Sequence, residues 1–210
     1  MNITFISDTH TAEVELPGGD LLIHAGDLTY QGRTKETKKQ LDYLSSAGYK
    51  NVVIIPGNHE VYWEAGHVPF RRYCEERGII CLVEESVEIE GIKIFGSPIT
   101  PEFCGWAYMR NAPVIGYSWE KIPLDTDILI THGPPRGILD VNPSDERCGC
   151  PALRKKVEEV APRIHVFGHI HGGHGVVDID GTTFINAAIM DESYSPTNKP
   201  IQYEYYGNGV

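Results

Sequence analysis

The chain has 210 residues, 41% of them hydrophobic and 22% charged, with a formal charge of −11. That is enough chain for one substantial core. It is also too acidic for a surface built to neutralise the phosphates of long DNA or RNA, although bound dications would reverse the local field for a small phosphate ester. No apolar run approaches the roughly 20 residues that span a bilayer.

The opening "MNITFISDTH" carries no basic region and no cleavage-type small residues. The expectation is therefore a single domain over residues 1–210, cytoplasmic, with no signal peptide and no membrane partner. In chain order, "NITFIS" is a β-branched opening strand and "DLLIHAGD" a second, introduced by the turn "PGGD". Residues 34–48 read as a surface helix ended by Gly48, and "NVVIIPGNHE" as a buried strand running into a Pro-Gly turn. "VPFRRYCEERG" is a helix closed by Gly78.

"ESVEIEGIKIFGSP" alternates around Glu90-Gly91, a hairpin signal. "SPITPEFCGWAYMRNAP" reads as loops rich in aromatics. "DILITHGPP" is an apolar strand, "CPALRKKVEEVAP" a helix with an early proline, and "RIHVFGHIH" a further strand. "GVVDIDGTTFINAA" alternates around Asp180-Gly181. Strands alternating with helices, then hairpins, predict a mixed α/β fold with two sheets.

Five of these strands end in polar clusters: Asp8-Thr9-His10, Gly26-Asp27, Asn58-His59-Glu60, His132-Gly133 and His169-Ile170-His171. Each cluster alone is weak. In open α/β sheets, however, ligands gather beyond the carboxyl ends of the strands. Together the clusters offer two Asp, one Asn and up to five His, more than one cation needs. That set suits two dications sharing a bridging carboxylate.

"SDTH", "GDL", "GNHE", "THGPP" and "GHIH" resemble, in order and spacing, the signature of the calcineurin-like metallophosphoesterase superfamily. "GDLLIHAGDLT", "RIHVFGHIHGGHGV" and "YSPTNKPI" are similar to its metallophosphoesterase-domain subgroup, which includes class III cyclic-nucleotide-phosphodiesterase-like proteins. The resemblance implies a four-layer αββα sandwich, with two mixed sheets packed together and helices on the outer faces. It implies Asp8, His10 and His171 on one metal, Asn58, His132 and His169 on the other, and Asp27 bridging. His59 matches the non-ligand histidine that contacts phosphate and assists the leaving group.

The implied cofactors are two divalent ions, manganese foremost; iron, zinc, cobalt, nickel and magnesium suit the same donors. The implied reaction is hydrolysis of phosphodiesters, cyclic or other small nucleotides among them, by attack of a metal-bridging hydroxide. A phosphomonoesterase is the alternative, though protein phosphatases of the superfamily carry "GDxxDRG" where this chain has "GDLTYQG". A nucleotide-binding regulator with little turnover is another.

Other residues carry separate expectations. Trp106, Tyr108 and Asn111 are candidates to stack on or hydrogen-bond a base, or else belong to a packed surface loop. Arg110 and Arg136 are candidate phosphate contacts, and His174 a candidate substrate contact outside the ligand set. Glu60 either orients a neighbouring site residue or is a solvated motif end. His24 and His165, inside apolar strands, read as structural, and His67 as surface. The glycines of "FGHIHGGHG" are expected to let the chain turn sharply. The five cysteines, Cys74, Cys81, Cys104, Cys148 and Cys150, read as reduced thiols. Cys148 and Cys150 have no second pair at zinc spacing.

Overall fold

The structure, a computed structural model, describes residues 1–206. The first half runs β1 (Asn2–Ile6), β2 (Gly19–His24), α1 (Thr34–Ser45), β3 (Tyr49–Ile54), α2 (Val61–Glu64), α3 (Phe70–Glu75) and β4 (Ile79–Cys81). The second half runs β5 (Glu85–Ile89), β6 (Ile92–Ser97), β7 (Thr100–Pro101), β8 (Met109–Arg110), α4 (Ala112–Trp119), β9 (Ile128–Thr131), α5 (Pro151–Val160), β10 (Ile164–Phe167), β11 (Gly175–Ile179) and β12 (Thr182–Asn186). A last strand, β13 (Ile201–Glu204), returns to the first sheet.

Two mixed sheets result, ordered β13-β1-β2-β3-β4 and β11-β12-β10-β9-β6-β5, with β7 and β8 forming a small separate ribbon. Strands β1 to β4 pair in parallel, and β13 is antiparallel. In the second sheet β12, β10, β9 and β6 are parallel, flanked by antiparallel β11 and β5. Both antiparallel edges close through hairpins whose turn residues have positive φ: Glu90 and Gly91 at 51° and 79°, Asp180 and Gly181 at 50° and 86°. That is the twist a two-residue hairpin needs.

Alternation along the strands creates the layers. Leu21, Ile23, Val53, Ile128, Ile130, Ile164 and Val166 point between the sheets. Leu22, Val52 and Ile54 meet Leu41 and Leu44 of α1, while Leu129 and Phe167 meet Trp119 of α4 and Leu153 and Val157 of α5. Both faces of each sheet are therefore covered, which is why the central strands read as continuous apolar runs. Each such side chain contributes about 1.5–3 kcal/mol on burial. The architecture is the four-layer αββα sandwich.

Three segments differ from the sequence expectation. Helix α4 begins at the end of the stretch read as loops and runs on through residues given no reading: Pro113 sits in its first turn, where no backbone donor is needed, and Ile115 and Trp119 bury four residues apart. Strands β4 and β13, three and four residues long, are edges defined by pairing rather than by pattern. Helix α3 is shorter than 68–78, because Pro69 sets its start. Among the described residues, no helix is long and apolar enough to cross a membrane, and the five cysteines are unpaired.

Candidate metal centre

The carboxyl ends of β1, β2, β3, β9 and β10 open on one place. The two sheets are stitched together there: Ser7 donates its amide to Ala187 O at 2.9 Å and accepts from Ile189 N at 2.9 Å. Asp8 N bonds Gly26 O, His10 N bonds Asp27 O and Gly168 N bonds His132 O, at 2.9, 3.1 and 2.9 Å. Each motif is thus hydrogen-bonded to the next.

One oxygen is the hub. Asp27 Oδ2 faces Nε2 of His132 at 3.3 Å, of His10 at 3.9 Å and of His59 at 4.0 Å. His132 Nε2 also faces Asn58 Oδ1 at 2.9 Å, while its Nδ1 donates to Ala25 O at 2.9 Å. His171 Nε2 lies 3.6 Å from Asp8 Oδ1, and its Nδ1 donates to Asp191 O at 3.0 Å. Backbone carbonyls thus take up the Nδ1–H of each ring and turn Nε2 into the site.

Three clusters have donor atoms within 4.8 Å of one another: Asp8, His10 and His171; Asp27, His132 and His169; and His10, Asp27 and His59. The residues fit cations on two independent grounds. His10 is buried, yet neither ring nitrogen has a hydrogen-bond partner, and a buried orphan of this kind calls for an explanation such as an ion. The backbone is also shaped around the carboxylates. A Cβ on Gly168 would collide with Asp8 Oδ2, and one on Gly57 with Asp27 Oδ1.

Strain collects here as well. Asp8, His10, Asp27 and His169 sit at φ of 50°, 41°, 56° and 67°. Left-handed non-glycine residues cost about 1–3 kcal/mol each and gather at functional sites.

The field of the site calls for positive charge. Burial alone would raise the Asp8 and Asp27 carboxyls, but His171 and His132 beside Asp8, and His132 and His10 beside Asp27, outweigh it and hold both below the usual carboxylate range. Burial would lower His132, yet the Asp27 carboxylate wins and lifts it to about 9. His169 is depressed to about 4 by burial and by His132.

The calcineurin-like phosphoesterase family profile matches residues 1–173. A human metallophosphoesterase domain-containing protein 1 is 37% identical over 222 residues, covering 93% of this chain and 68% of that protein. A Caenorhabditis elegans UPF0046 protein is 36% identical over 218 residues, covering 97% and 74%. The chain belongs to the calcineurin-like phosphoesterase family.

It is accordingly a metal-dependent phosphoester hydrolase. Among solved structures, the phosphopantetheinyl hydrolase of Mycobacterium tuberculosis shares the fold at a TM-score of 0.66 and 18% identity, over 100% of this chain and 98% of that one. A Thermus thermophilus protein shares it at 0.60 and 14%, over 88% of each.

Around the cradle of this phosphoesterase the other expectations sort themselves. His59 donates its amide to Asp27 Oδ1 at 2.8 Å, and its Nδ1 bonds Tyr30 O at 2.9 Å. Glu60 is fully buried rather than solvated. Its carboxylate accepts from the amides of Gly57, Asp27 and Thr29 and from the Thr29 hydroxyl, at 2.7, 3.1, 2.9 and 2.9 Å. Burial and the Asp27 charge nevertheless push it up to about 8. It positions the Asp27 backbone and makes no hydrogen bond to the His59 ring.

Trp106 lies 4.5 Å from the His59 ring. Tyr108 is a correction: it is 5% exposed and packs with Phe95 and Ile115, so its ring is core and not a platform for a base. Asn111 is the exposed residue preceding α4 and makes no side-chain cap. Arg110 is held by Glu64 and by Met109 O, and Arg136 by Arg147 O; neither bonds a site residue. His174 is half-buried beyond the 171–173 turn and outside all three clusters.

Of the glycines in that motif, Gly175 takes a backbone that favours glycine, at φ 154°, whereas Gly168 and Gly173 are required by close packing. The φ values of Gly168 and Gly173 are ordinary, but a Cβ at Gly173 would strike Leu139 O. Cys150 caps α5 by accepting from Leu153 N at 3.4 Å, and no cluster among the described residues includes a cysteine.

His24 and His165 are fully buried structural groups. His24 Nδ1 accepts from Gly26 N, leaving Nε2–H for the Thr9 hydroxyl at 2.9 Å. The Thr131 hydroxyl donates to Gly133 O, so His165 Nε2–H donates to Thr131.

Sequence reasoning did not single out Tyr30, Tyr194 or Asp191. The His10 ring lies 5.5 Å from Tyr30 and 5.0 Å from Tyr194, and His171 also lies 5.0 Å from Tyr194. Two signals were available: Tyr30 stands three residues after Asp27, in the same loop, and Tyr194 opens "YSPTNKPI".

Proposed function

We propose that this phosphoesterase is a two-metal phosphodiesterase acting on small diesters, cyclic or linear nucleotides among them. In this reading Asp8, His10 and His171 hold one cation and Asn58, His132 and His169 the other, with Asp27 shared. Manganese is the first candidate for both. The observation that carries the reading is the convergence of three imidazoles on Asp27 Oδ2 beside a second acidic cluster. When bound, the cations supply charge neutralisation and a nucleophile available at neutral pH.

The chain's own residues do the rest. Asp27, fixed by Glu60 through its backbone, keeps the two clusters in register. His59, anchored through Nδ1 to Tyr30 O, presents Nε2 to the site and donates a proton to the departing alkoxide. Among the described residues, no lysine or arginine makes an ion pair or ring contact with Asp8, Asp27, His10, His59 or His171. A diester monoanion needs less compensation than a monoester dianion, and this favours the diester.

The test is a panel with added manganese: a chromogenic phosphodiester, its matching monoester, and 2′,3′- and 3′,5′-cyclic nucleotides. The expected result is faster turnover of the diesters. Faster monoester hydrolysis would make the protein a phosphatase. No turnover by fully metallated protein would leave a nucleotide-binding protein.

A further inference from the structure

The segment after β12 runs beside the site, and Asp191 ties it to His171. Asp191 O accepts both His171 Nδ1 at 3.0 Å and Tyr194 N at 2.9 Å. One carbonyl therefore uses its two lone pairs to orient a candidate ligand and to fold the loop beside it. The Asp191 carboxylate completes the fold: Oδ1 accepts from Ser193 N and Ser195 N at 2.8 and 2.9 Å, and Oδ2 from the Thr197 hydroxyl at 3.3 Å. The far end is pinned by Asn198, whose Nδ2 donates to Ala188 O and Met190 O at 3.1 and 3.3 Å. Glu192 Oε1 accepts from Gly172 N at 2.6 Å, next to His171.

This scaffold presents Tyr194. Its backbone is left-handed, at φ 57°, and its ring stands 5.0 Å from both His10 and His171. Nearly half of the residue, 47%, remains open to solvent. Trp106, at the His59 end of the same row of imidazoles, and Tyr30, stacked on His10, complete a rim of rings. No lysine or arginine makes a ring contact with Tyr30, Trp106 or Tyr194 among the described residues. A rim of open, neutral π-faces recognises planar rings by stacking and does not recognise additional negative charge.

We propose that the loop from Asp191 to Asn198 is a substrate wall keyed to the Asp8–His10–His171 cluster. Asp191 is its positioning residue, and Tyr194 is the residue that selects esters carrying a planar ring. The inference rests on the phosphoester site being this cradle, but not on diester over monoester preference.

The test compares two non-hydrolysable probes, 2-phenylethylphosphonate and 2-cyclohexylethylphosphonate, binding the manganese-loaded full chain by calorimetry. They share charge and approximate size and differ in planarity. The phenyl probe is expected to bind about two- to tenfold more tightly. Tyr194→Ala brings the ratio close to one, and Tyr194→Phe restores it. Asp191→Ala has the same effect on the ratio and also weakens metal binding about tenfold, because His171 loses its orienting carbonyl geometry. Asp191→Asn, which keeps an acceptor for the Ser193 and Ser195 amides, retains both.

Equal binding of the two probes by the wild-type protein overturns the proposal, as does a ratio unchanged in Tyr194→Ala. If Asp191→Ala does not fold, the Tyr194 pair decides. Absence of diester turnover combined with an intact ratio would overturn the phosphodiesterase reading and leave the wall standing.

Discussion

The floor of the site and its rim are made of different material. Asp8 and His132 are 0% exposed and Asp27 2%, each fixed by backbone hydrogen bonds or by a glycine that leaves no room for a side chain. Tyr30, Trp106 and Tyr194 stand above them at 45%, 37% and 47%. The floor binds charge in a water-poor setting, where a misplaced group is severely penalised. The rim offers stacking surface, where a substitution changes preference by small factors. Chemistry is therefore expected to be brittle and specificity adjustable.

The largest break in that contrast is Asp27→Asn. Removing the shared charge is expected to lower turnover by about a thousandfold or more and to deplete both metals, read by elemental analysis alongside kcat. His59→Ala comes next. It is expected to lower kcat by about 10²–10⁴-fold with metal retained, as for loss of a proton donor; a metal-depleted His59→Ala would make His59 a ligand instead. Gly168→Ala, a floor change that adds one methyl, drives it onto Asp8. Destabilisation of about 1–3 kcal/mol with loss of metal is expected, measured by urea unfolding and metal content; a fully metallated, stable variant would show the floor to be pliable.

His165 sharpens the contrast from beneath. Its folded pKa, about 3, lies below the ordinary 6.5 because of burial. The folded state thus binds fewer protons, so this stability is fully present above pH 6.5 and is lost as pH falls toward 3, by about 1.4 kcal/mol per unit. His165→Gln, which keeps a donor for Thr131, is expected to flatten unfolding free energy against pH in that window. An unchanged slope would show that His165 is not the titrating group. The smallest effect is expected from Arg110→Ala. Its pair with Glu64 is well exposed on both sides, at 39% and 37%, and such pairs contribute little. Activity is expected to stay within about twofold, and a tenfold rise in KM would return Arg110 to the phosphate.

The floor was legible because its residues are adjacent in sequence to the strands that carry them. Asp8 and His10 follow β1, and His169 and His171 follow β10, so strand pattern and ligand type could be read together. The rim was not. Tyr30 and Tyr194 are 164 positions apart, and both rings contact His10. Tyr108 and Trp106 looked alike in sequence, yet one ring turns into the core and the other onto His59. Glu60 read either as an orienting residue or as a solvated motif end, and only the fold showed four donors converging on it.

The sequence by itself determined the alternating strands, the two hairpin turns and the candidate ligand types at five strand ends, because side-chain alternation and turn chemistry are local properties. Only the tertiary structure decided that two separate sheets lock together at Ser7 and Ala187–Ile189. It also decided that three imidazoles share one oxygen of Asp27 and that a distant loop lays Tyr194 beside His10 and His171. Those outcomes depend on packing between segments far apart in the chain, and no local pattern encodes them.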